Sequence, residues 1–151
     1  MMIEYARATK DVIPPTRSNP SDAGLDVYAH LDEKPITIGA GENGVIPTGL
    51  RFGIPHGYML QVCNRSSMGA KRSLVVGAHI IDSGYDGEVF IDLHNIGHRP
   101  QLIEHGDKIA QLVMVPVVSF RAMETQTGNL YDWYPITISD RGDGSLGSTG
   151  Q

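Results

Sequence analysis

The chain has 151 residues, the length of one domain with a hydrophobic core of its own. Its hydrophobic content of 40% and charged content of 19% are those of a globular protein and argue against disorder. The net charge of -5 excludes a nucleic-acid binder that relies on a broad basic face, although an anionic small ligand needs only a local group of donors.

The chain contains one cysteine, Cys63, which excludes an internal disulfide framework and a zinc site built from cysteines. No apolar run reaches the roughly 18 residues of a membrane-spanning helix, and the N-terminus lacks a signal-peptide pattern. We therefore expect a soluble, cytoplasmic protein with neither a nucleic-acid nor a membrane partner.

Eighteen glycines and nine prolines favour short strands joined by tight turns over long helices. Strands are predicted at 2–8, 25–29, 36–38, 45–54, 57–63 and 109–115. In the second of these, Leu25, Val27 and Ala29 alternate with polar residues, so one face is apolar and the other carries Asp26.

The most basic segment is 65–72, which holds three cations and two hydroxyls in eight residues. An arginine fork, serine hydroxyls and turn amides together form a cradle that suits a phosphate. A short helical turn is expected here. The alternative interpretation is a solvated basic loop.

The segment 75–94 is predicted to form a hairpin, with a tight turn at 83–87 and an alternating strand at 89–94. Gly77 lacks a side chain, so a flat ligand could lie against its backbone. Asp82 could polarise a water, and Tyr85 could cover the ligand. The alternative is a buried hairpin with an ordinary turn aspartate.

Two further features point to a ligand less directly. Gln111 is a polar residue in an apolar strand, and a buried amide must find partners, most often in the backbone. The tail 141–151 contains four glycines and three hydroxyls, a composition typical of disorder in isolation. It lacks the Gly-Lys-Ser/Thr ending of a P-loop, but it could order over a polyphosphate.

Five segments of the chain form an ordered set: 22–26, 65–69, 77–87, 106–112 and 141–150. In this order they resemble the five motifs of the homotrimeric dUTP pyrophosphatase (dUTPase) family. The resemblance implies an all-β fold, with a distorted jelly-roll barrel at 1–140 and a flexible Gly-rich arm at 141–151. It also implies a homotrimer that shares its active sites between subunits. Its reaction would be the magnesium-dependent hydrolysis of dUTP to dUMP and pyrophosphate, which limits uracil in DNA and supplies dUMP for dTMP synthesis.

The same resemblance assigns roles to individual residues. Asp82 would orient the attacking water, and Tyr85 would pack under deoxyribose. Asp26 would support Mg²⁺ indirectly through water, because the triphosphate holds the ion. The other implied substrate ligands are the uracil-reading segment Gly77, Ala78, Ile80 and Ile81, the phosphate ligands Arg65, Ser66, Ser67 and Gln111, and the arm residues Arg141, Leu146, Gly147 and Ser148.

The chain departs from the commoner family pattern at several positions. Ser67 stands where many members have Gly, Asn64 where Pro is usual, and Leu146 where most have an aromatic that stacks on uracil. His79 replaces a frequent Gly and makes the segment similar to that of the related dCTP deaminases, whose catalytic glutamate falls where this chain has Asp92.

Two alternatives therefore remain open beside dUTP hydrolysis. One is a dCTP deaminase, or a bifunctional deaminase and dUTPase, with Asp92 in the active site. Against it, the chain ends in a dUTPase-like arm, and Asp92 is expected to be an outward-facing strand residue. The other is a non-catalytic nucleotide-binding regulatory protein on the same fold.

Overall fold

The computed structural model describes residues 1–132. Eleven strands and one short helix follow one another in this part of the chain. Their bounds are β1 Tyr5–Arg7, β2 Leu25–Tyr28, β3 Ile36–Ile38, β4 Asn43–Pro47, β5 Leu50–Phe52, β6 Tyr58–Cys63, α1 Ser66–Arg72, β7 Leu74–Val76, β8 Ile80–Ile81, β9 Phe90–Asn95, β10 Gln101–Ile103 and β11 Lys108–Pro116. The all-β prediction is confirmed.

The strands of residues 1–132 form four small antiparallel sheets, and their ladders do not close into one continuous barrel. One sheet has the order β2-β11-β6-β8, a second has the order β4-β9-β7, and the remaining two are the pairs β1-β5 and β3-β10. Glycine and proline turns keep most strands short, so the jelly-roll-like architecture consists of several sheets around one core.

Strand β11 lies between β2 and β6 and fixes the register on both sides. Gln111 pairs with Asp26 of β2 and with Cys63 of β6. A register irregularity between Lys108 and Ala110 interrupts the β2 ladder. The ladders therefore set Asp26 of the first motif beside Gln111 of the fourth, at the level where β6 ends two residues before the second motif.

The core is built from the inward faces of these strands. Its fully buried apolar side chains include Val27, Ile38, Ile46, Leu50, Leu74, Ile91, Leu93, Ile103 and Ile109. Two polar residues, Thr48 and Asn95, are buried among them. Alternation of buried and half-exposed residues along β9 gives that strand an outer face, on which Asp92 and His94 lie.

Two predicted elements require correction. The hairpin at 75–94 is confirmed only at its outer end, where Val75 and Val76 of β7 pair antiparallel with His94 and Leu93 of β9. The tight turn predicted at 83–87 does not close it, because β8 pairs with β6 and not with β9. The segment 82–89 therefore connects two sheets. The single strand at 45–54 was also wrong. Gly49, with φ of +69°, separates β4 from β5. The short helical turn expected after Arg65 is confirmed as α1.

The chain divides into a compact unit at Met1–Ser119 and a second unit at Phe120–Gln151. In the described part of the second unit, Thr125 Oγ1 donates to the Asn129 carbonyl at 3.0 Å, and Thr127 Oγ1 donates to Asp132 at 2.8 Å. The predicted barrel of 1–140 and arm of 141–151 meet outside the described residues, so that division stays a prediction. No helix in residues 1–132 is long and apolar enough to cross a membrane.

Candidate active site

A cluster of charges forms where β2, β6 and β11 meet. Arg65 Nε donates to Asp26 Oδ1 at 3.0 Å, and the Lys108 ammonium lies 3.4 Å from Asp26 Oδ2. Ser18 donates to the same Oδ2 at 3.2 Å. Each carboxylate oxygen of Asp26 therefore contacts one of the two cations. Because the Asp26 side chain is only 14% exposed, these contacts are partly shielded from water.

Arg65 makes two further contacts through its guanidinium. Its Nη1 lies 3.4 Å from the Lys108 carbonyl oxygen and 3.5 Å from Ser67 Oγ. Ser66 and Ser67, the first residues of α1, are exposed. The predicted phosphate ligands Arg65, Ser66 and Ser67 therefore adjoin one another. Lys108 and Ser18 complete the cluster, and neither was predicted from the sequence.

Gln111 joins this cluster through the backbone. Its Nε2 donates to the Asn64 carbonyl at 3.0 Å, so the expectation of a backbone partner is confirmed. The Asn64 side chain accepts the N–H of Val76 at 2.7 Å. Asn64, where proline is commoner in the family, thus ties the end of β6 to β7, the strand that leads to Gly77.

A second group of predicted residues surrounds a cavity of about 230 Å³. Ile80, Ile81, Asp82 and Tyr85 line it together with Glu88, Val89 and Phe90. Asp82 is exposed. The Tyr85 N–H donates to the main-chain carbonyl of Asp82 at 3.2 Å, which closes a turn in which Gly84 has φ of +86°. Tyr85 is 47% exposed, and its hydroxyl donates to the Glu88 carbonyl at 2.9 Å.

The segment 77–78 crosses over Asp92. Asn43 Nδ2 lies 2.9 Å from Asp92 Oδ1, and His94 Nε2 lies 2.9 Å from Oδ2. Burial alone would raise the pKa of Asp92. Hydrogen bonds from Asn43 and His94, the charge of His94 and the N–H of Ala78 outweigh it, so the pKa lies below its ordinary 3.8. Asp92 lies on the outer face of β9, as expected, but both of its carboxylate oxygens contact a neighbouring side chain.

The Asp92 partners were missed by the sequence analysis. Asp92 and His94 are two residues apart on one face of β9, so strand alternation could have placed them together. Asn43 comes from β4 and meets Asp92 through the β4–β9 ladder. No local pattern in the sequence carries that pairing.

The described residues contain no group of three or more His, Cys, Asp and Glu side chains that could hold a metal ion. Asp26 already receives Arg65, Lys108 and Ser18. This donor set fits an ion carried by a triphosphate better than a cage of protein ligands. The predicted ligands Arg141, Leu146, Gly147 and Ser148 lie outside the described residues.

An all-β chain with a cationic cluster at one sheet level and an exposed carboxylate in a separate turn cavity is equipped to handle a phosphorylated small molecule. The dUTPase family model matches residues 10–150, and the chain belongs to that family.

Individual relatives agree over most of their length. The chain is 38% identical over 138 residues to a deoxyuridine 5'-triphosphate nucleotidohydrolase of Gloeobacter violaceus, covering 90% of this chain and 88% of the relative. A dUTPase of Staphylococcus bacteriophage 80alpha, solved with dUpNHpp, superposes with a TM-score of 0.81 at 25% identity over 99% of both chains. The dUTPase of phage phi11 of S. aureus, described with a structural Mg(II) ion, has a TM-score of 0.75 at 24% identity, over 83% of this chain and 97% of its own.

Proposed function

We propose that the protein is a dUTP diphosphatase, which hydrolyses dUTP to dUMP and pyrophosphate. Membership of the dUTPase family over residues 10–150 carries the proposal. The Gloeobacter relative is named for this activity, and the phage 80alpha structure was obtained with a nucleotide analogue. The reaction limits the entry of uracil into DNA and supplies dUMP for dTMP synthesis.

Asp82 is the proposed catalytic residue. A water hydrogen-bonded to its carboxylate attacks the α-phosphorus of dUTP, and the carboxylate takes the proton of that water. The bond from the α-phosphorus to the bridging oxygen breaks, and its electrons leave with pyrophosphate. The exposed position of Asp82 in the cavity supports this role, because water and nucleotide can both reach it.

The other cavity residues are proposed to bind the nucleoside. The ring of Tyr85 packs under the deoxyribose and leaves no room for a 2'-hydroxyl. The backbone from Gly77 to Ile81 reads the uracil edge. In support, Gly77 and Ala78 are exposed, so their peptide groups can be reached by a flat base.

Arg65, Ser66, Ser67 and Gln111 are proposed to bind the phosphates. Asp26 holds Arg65 Nε, and Nη1 contacts the Lys108 carbonyl. Within residues 1–132 the remaining nitrogen, Nη2, makes no hydrogen bond and is available to a phosphate oxygen. A guanidinium fixed in this way loses little conformational entropy when the substrate arrives.

Magnesium is proposed as the cofactor, held mainly by the triphosphate and reached by Asp26 only through water. Bound in this way, the ion supplies positive charge that stabilises the leaving pyrophosphate. The cation-paired state of Asp26 supports an indirect role, since neither carboxylate oxygen is left without a partner.

We further propose a homotrimer in which neighbouring subunits share each site and the arm at 141–151 completes it through Arg141, Leu146, Gly147 and Ser148. Within residues 1–132, no side-chain hydrogen bond joins the Arg65 cluster to Asp82 or Tyr85, which favours assembly of the site from more than one subunit. The cytoplasmic location expected from the sequence also stays a proposal.

The closest competitor is dCTP deamination, because the Asp92 carboxylate lies directly beside the predicted base-reading segment. Its two oxygens already receive Asn43 and His94, and its lowered pKa makes it a weak base. Both features favour dUTP hydrolysis over deamination. A non-catalytic nucleotide-binding protein is the remaining alternative.

One assay separates these functions. The purified protein is incubated with MgCl₂ and either dUTP or dCTP, while pyrophosphate and ammonia are followed separately. We expect pyrophosphate and dUMP from dUTP and no ammonia. Ammonia from dCTP would establish deamination, whereas tight nucleotide binding without either product would establish a binding protein.

A further inference from the structure

The Asp92 carboxylate fills the space beneath Gly77. A Cβ atom added at Gly77 would overlap Asp92 Oδ2 and fall 2.5 Å from His94 Nε2. Asn43 and His94 hold the carboxylate from two strands, and its side chain is 25% exposed. The base-reading segment therefore lies directly on a fixed, ionised group.

The same residue orients the peptides above it. The Gly77 N–H donates to the Asp92 carbonyl at 2.8 Å, and the Ala78 N–H lies close enough to the Asp92 carboxylate to help lower its pKa. In a planar trans peptide the N–H and C=O point in opposite directions. The carbonyl of Gly77, which shares its peptide with the Ala78 N–H, consequently points away from Asp92.

Between β7 and β8, two main-chain carbonyls have no hydrogen-bond donor in the described part of the chain. The His79 carbonyl accepts the N–H of Val62 at 2.9 Å, which attaches the chain to β6. Within residues 1–132, no donor reaches the carbonyl oxygens of Gly77 and Ala78. An exposed carbonyl without a donor is an acceptor ready for a ligand N–H.

We infer that Asp92 is a positioning residue for base selection. Its main-chain carbonyl holds the N–H of Gly77 and its carboxylate holds the N–H of Ala78, so the edge that faces the nucleotide offers a carbonyl acceptor. The N3 position of uracil carries a hydrogen and matches this acceptor, whereas N3 of cytosine carries a lone pair and would be repelled. This inference rests on the proposed dUTP hydrolysis and adds a determinant of its base specificity.

Two substitutions test the role of Asp92. Asp92→Leu removes both carboxylate oxygens, and Asp92→Asn keeps one acceptor for the three donors. We expect the KM for dUTP to rise about tenfold in Asp92→Leu and about threefold in Asp92→Asn, with kcat within about twofold of wild type. The ratio of kcat/KM for dUTP to that for dCTP should fall by similar factors.

A second readout reports on the peptides themselves. Hydrogen exchange of the Ala78 amide should accelerate in both variants. Exchange of the Gly77 amide, whose acceptor is the Asp92 main-chain carbonyl, and of the amides in the buried strands should be unchanged. If Asp92→Leu does not fold, Asp92→Asn and His94→Gln provide the same comparison. Asp11→Asn is the matched control, because Asp11 is exposed and its φ of 57° suits asparagine.

The outcomes are distinct. Unchanged base discrimination in folded Asp92→Leu and Asp92→Asn would overturn the inference, as would an equal loss of kcat for both nucleotides. Ammonia release by the wild type that disappears in Asp92→Asn would replace it with a deaminase role. A wild-type enzyme that releases no pyrophosphate from dUTP would refute the proposed function, independently of the variants.

Discussion

At the scale of single residues, Asp82 and Asp92 have opposite surroundings although both adjoin the same segment. Asp82 is exposed in a cavity, whereas Asp92 receives hydrogen bonds from Asn43 and His94. A carboxylate open to solvent can bind and deprotonate a water, and a saturated one can only hold its donors in place. These surroundings suit Asp82 to the proposed catalytic role and Asp92 to the proposed positioning role.

Asp82→Asn should lower kcat for dUTP by at least about 10³-fold, because the amide cannot take a proton from the attacking water. Nucleotide binding should change by less than about threefold, since the proposed base and phosphate ligands are untouched. Steady-state kinetics and calorimetric titration with dUpNHpp measure the two quantities. A comparable loss of affinity would mark Asp82 as a structural aspartate.

Arg65→Lys should raise the KM for dUTP by about tenfold. Lysine cannot reproduce the fork that contacts Asp26 and leaves Nη2 for a phosphate. Arg7→Lys is the control, because Arg7 is an exposed cation of β1 outside the cluster. An unchanged KM would show that Arg65 serves only the fold.

Asp92 should make the stability of the folded protein depend on pH in the acidic range. Its folded pKa is lowered, so the ionised form stabilises the protein above the ordinary pKa of 3.8, and this contribution disappears as the pH falls through the lowered value. The Tm of wild type should exceed that of Asp92→Asn near neutral pH, and the difference should shrink below about pH 4. His94, the titratable group that faces Asp92, is kept in both proteins. A Tm difference that is constant with pH would contradict this assignment.

At the scale of elements, Asn95 ends β9 and supports the turn that follows. Its Nδ2 donates to the carbonyls of Ile38 and Arg99 at 3.0 and 2.7 Å, and its Oδ1 accepts the Gly97 N–H at 3.0 Å. The residue is 1% exposed. One buried amide thus satisfies three backbone groups, of which the Ile38 carbonyl is buried with it.

Asn95→Leu should reduce the free energy of unfolding by about 3 kcal/mol, because it leaves these backbone groups without partners. His98→Leu, an exposed change in the same turn, should stay within about 0.5 kcal/mol. Urea unfolding at one fixed protein concentration measures both, since assembly would make stability depend on concentration. A loss below about 1 kcal/mol for Asn95→Leu would contradict the role of the amide.

The sequence predicted the elements better than their partners. The alternation of Leu25, Val27 and Ala29 located β2 and the outward position of Asp26. The sequence could not predict which strand β8 pairs with, because a turn at 82–85 can either close a hairpin or carry the chain to another sheet. Local residues do not distinguish these outcomes. The β6–β8 pairing, the Asn43–Asp92 contact and the Lys108–Asp26 pair all depend on long-range packing.

At the scale of the whole molecule, the proposed site needs residues from different subunits. A mixture of inactive Asp82→Asn and Arg65→Ala subunits, co-expressed so that they assemble together, should therefore recover activity. Random assembly gives about a quarter of the wild-type sites an intact Asp82 and an intact Arg65 on neighbouring subunits. Activity of the co-expressed protein, with its mass from sedimentation equilibrium, checks this. No recovery from a mixed trimer would place both residues in one subunit.

The register between β6 and β11 also has a practical consequence. It sets Cys63 opposite Gln111 and two residues before Arg65, at the level of the proposed phosphate ligands. Cys63 is the only thiol in the chain and is half-buried. A small environment-sensitive fluorophore attached to it would give one optical reporter per subunit, and its emission would follow the arrival of nucleotide and the departure of pyrophosphate without any engineered cysteine.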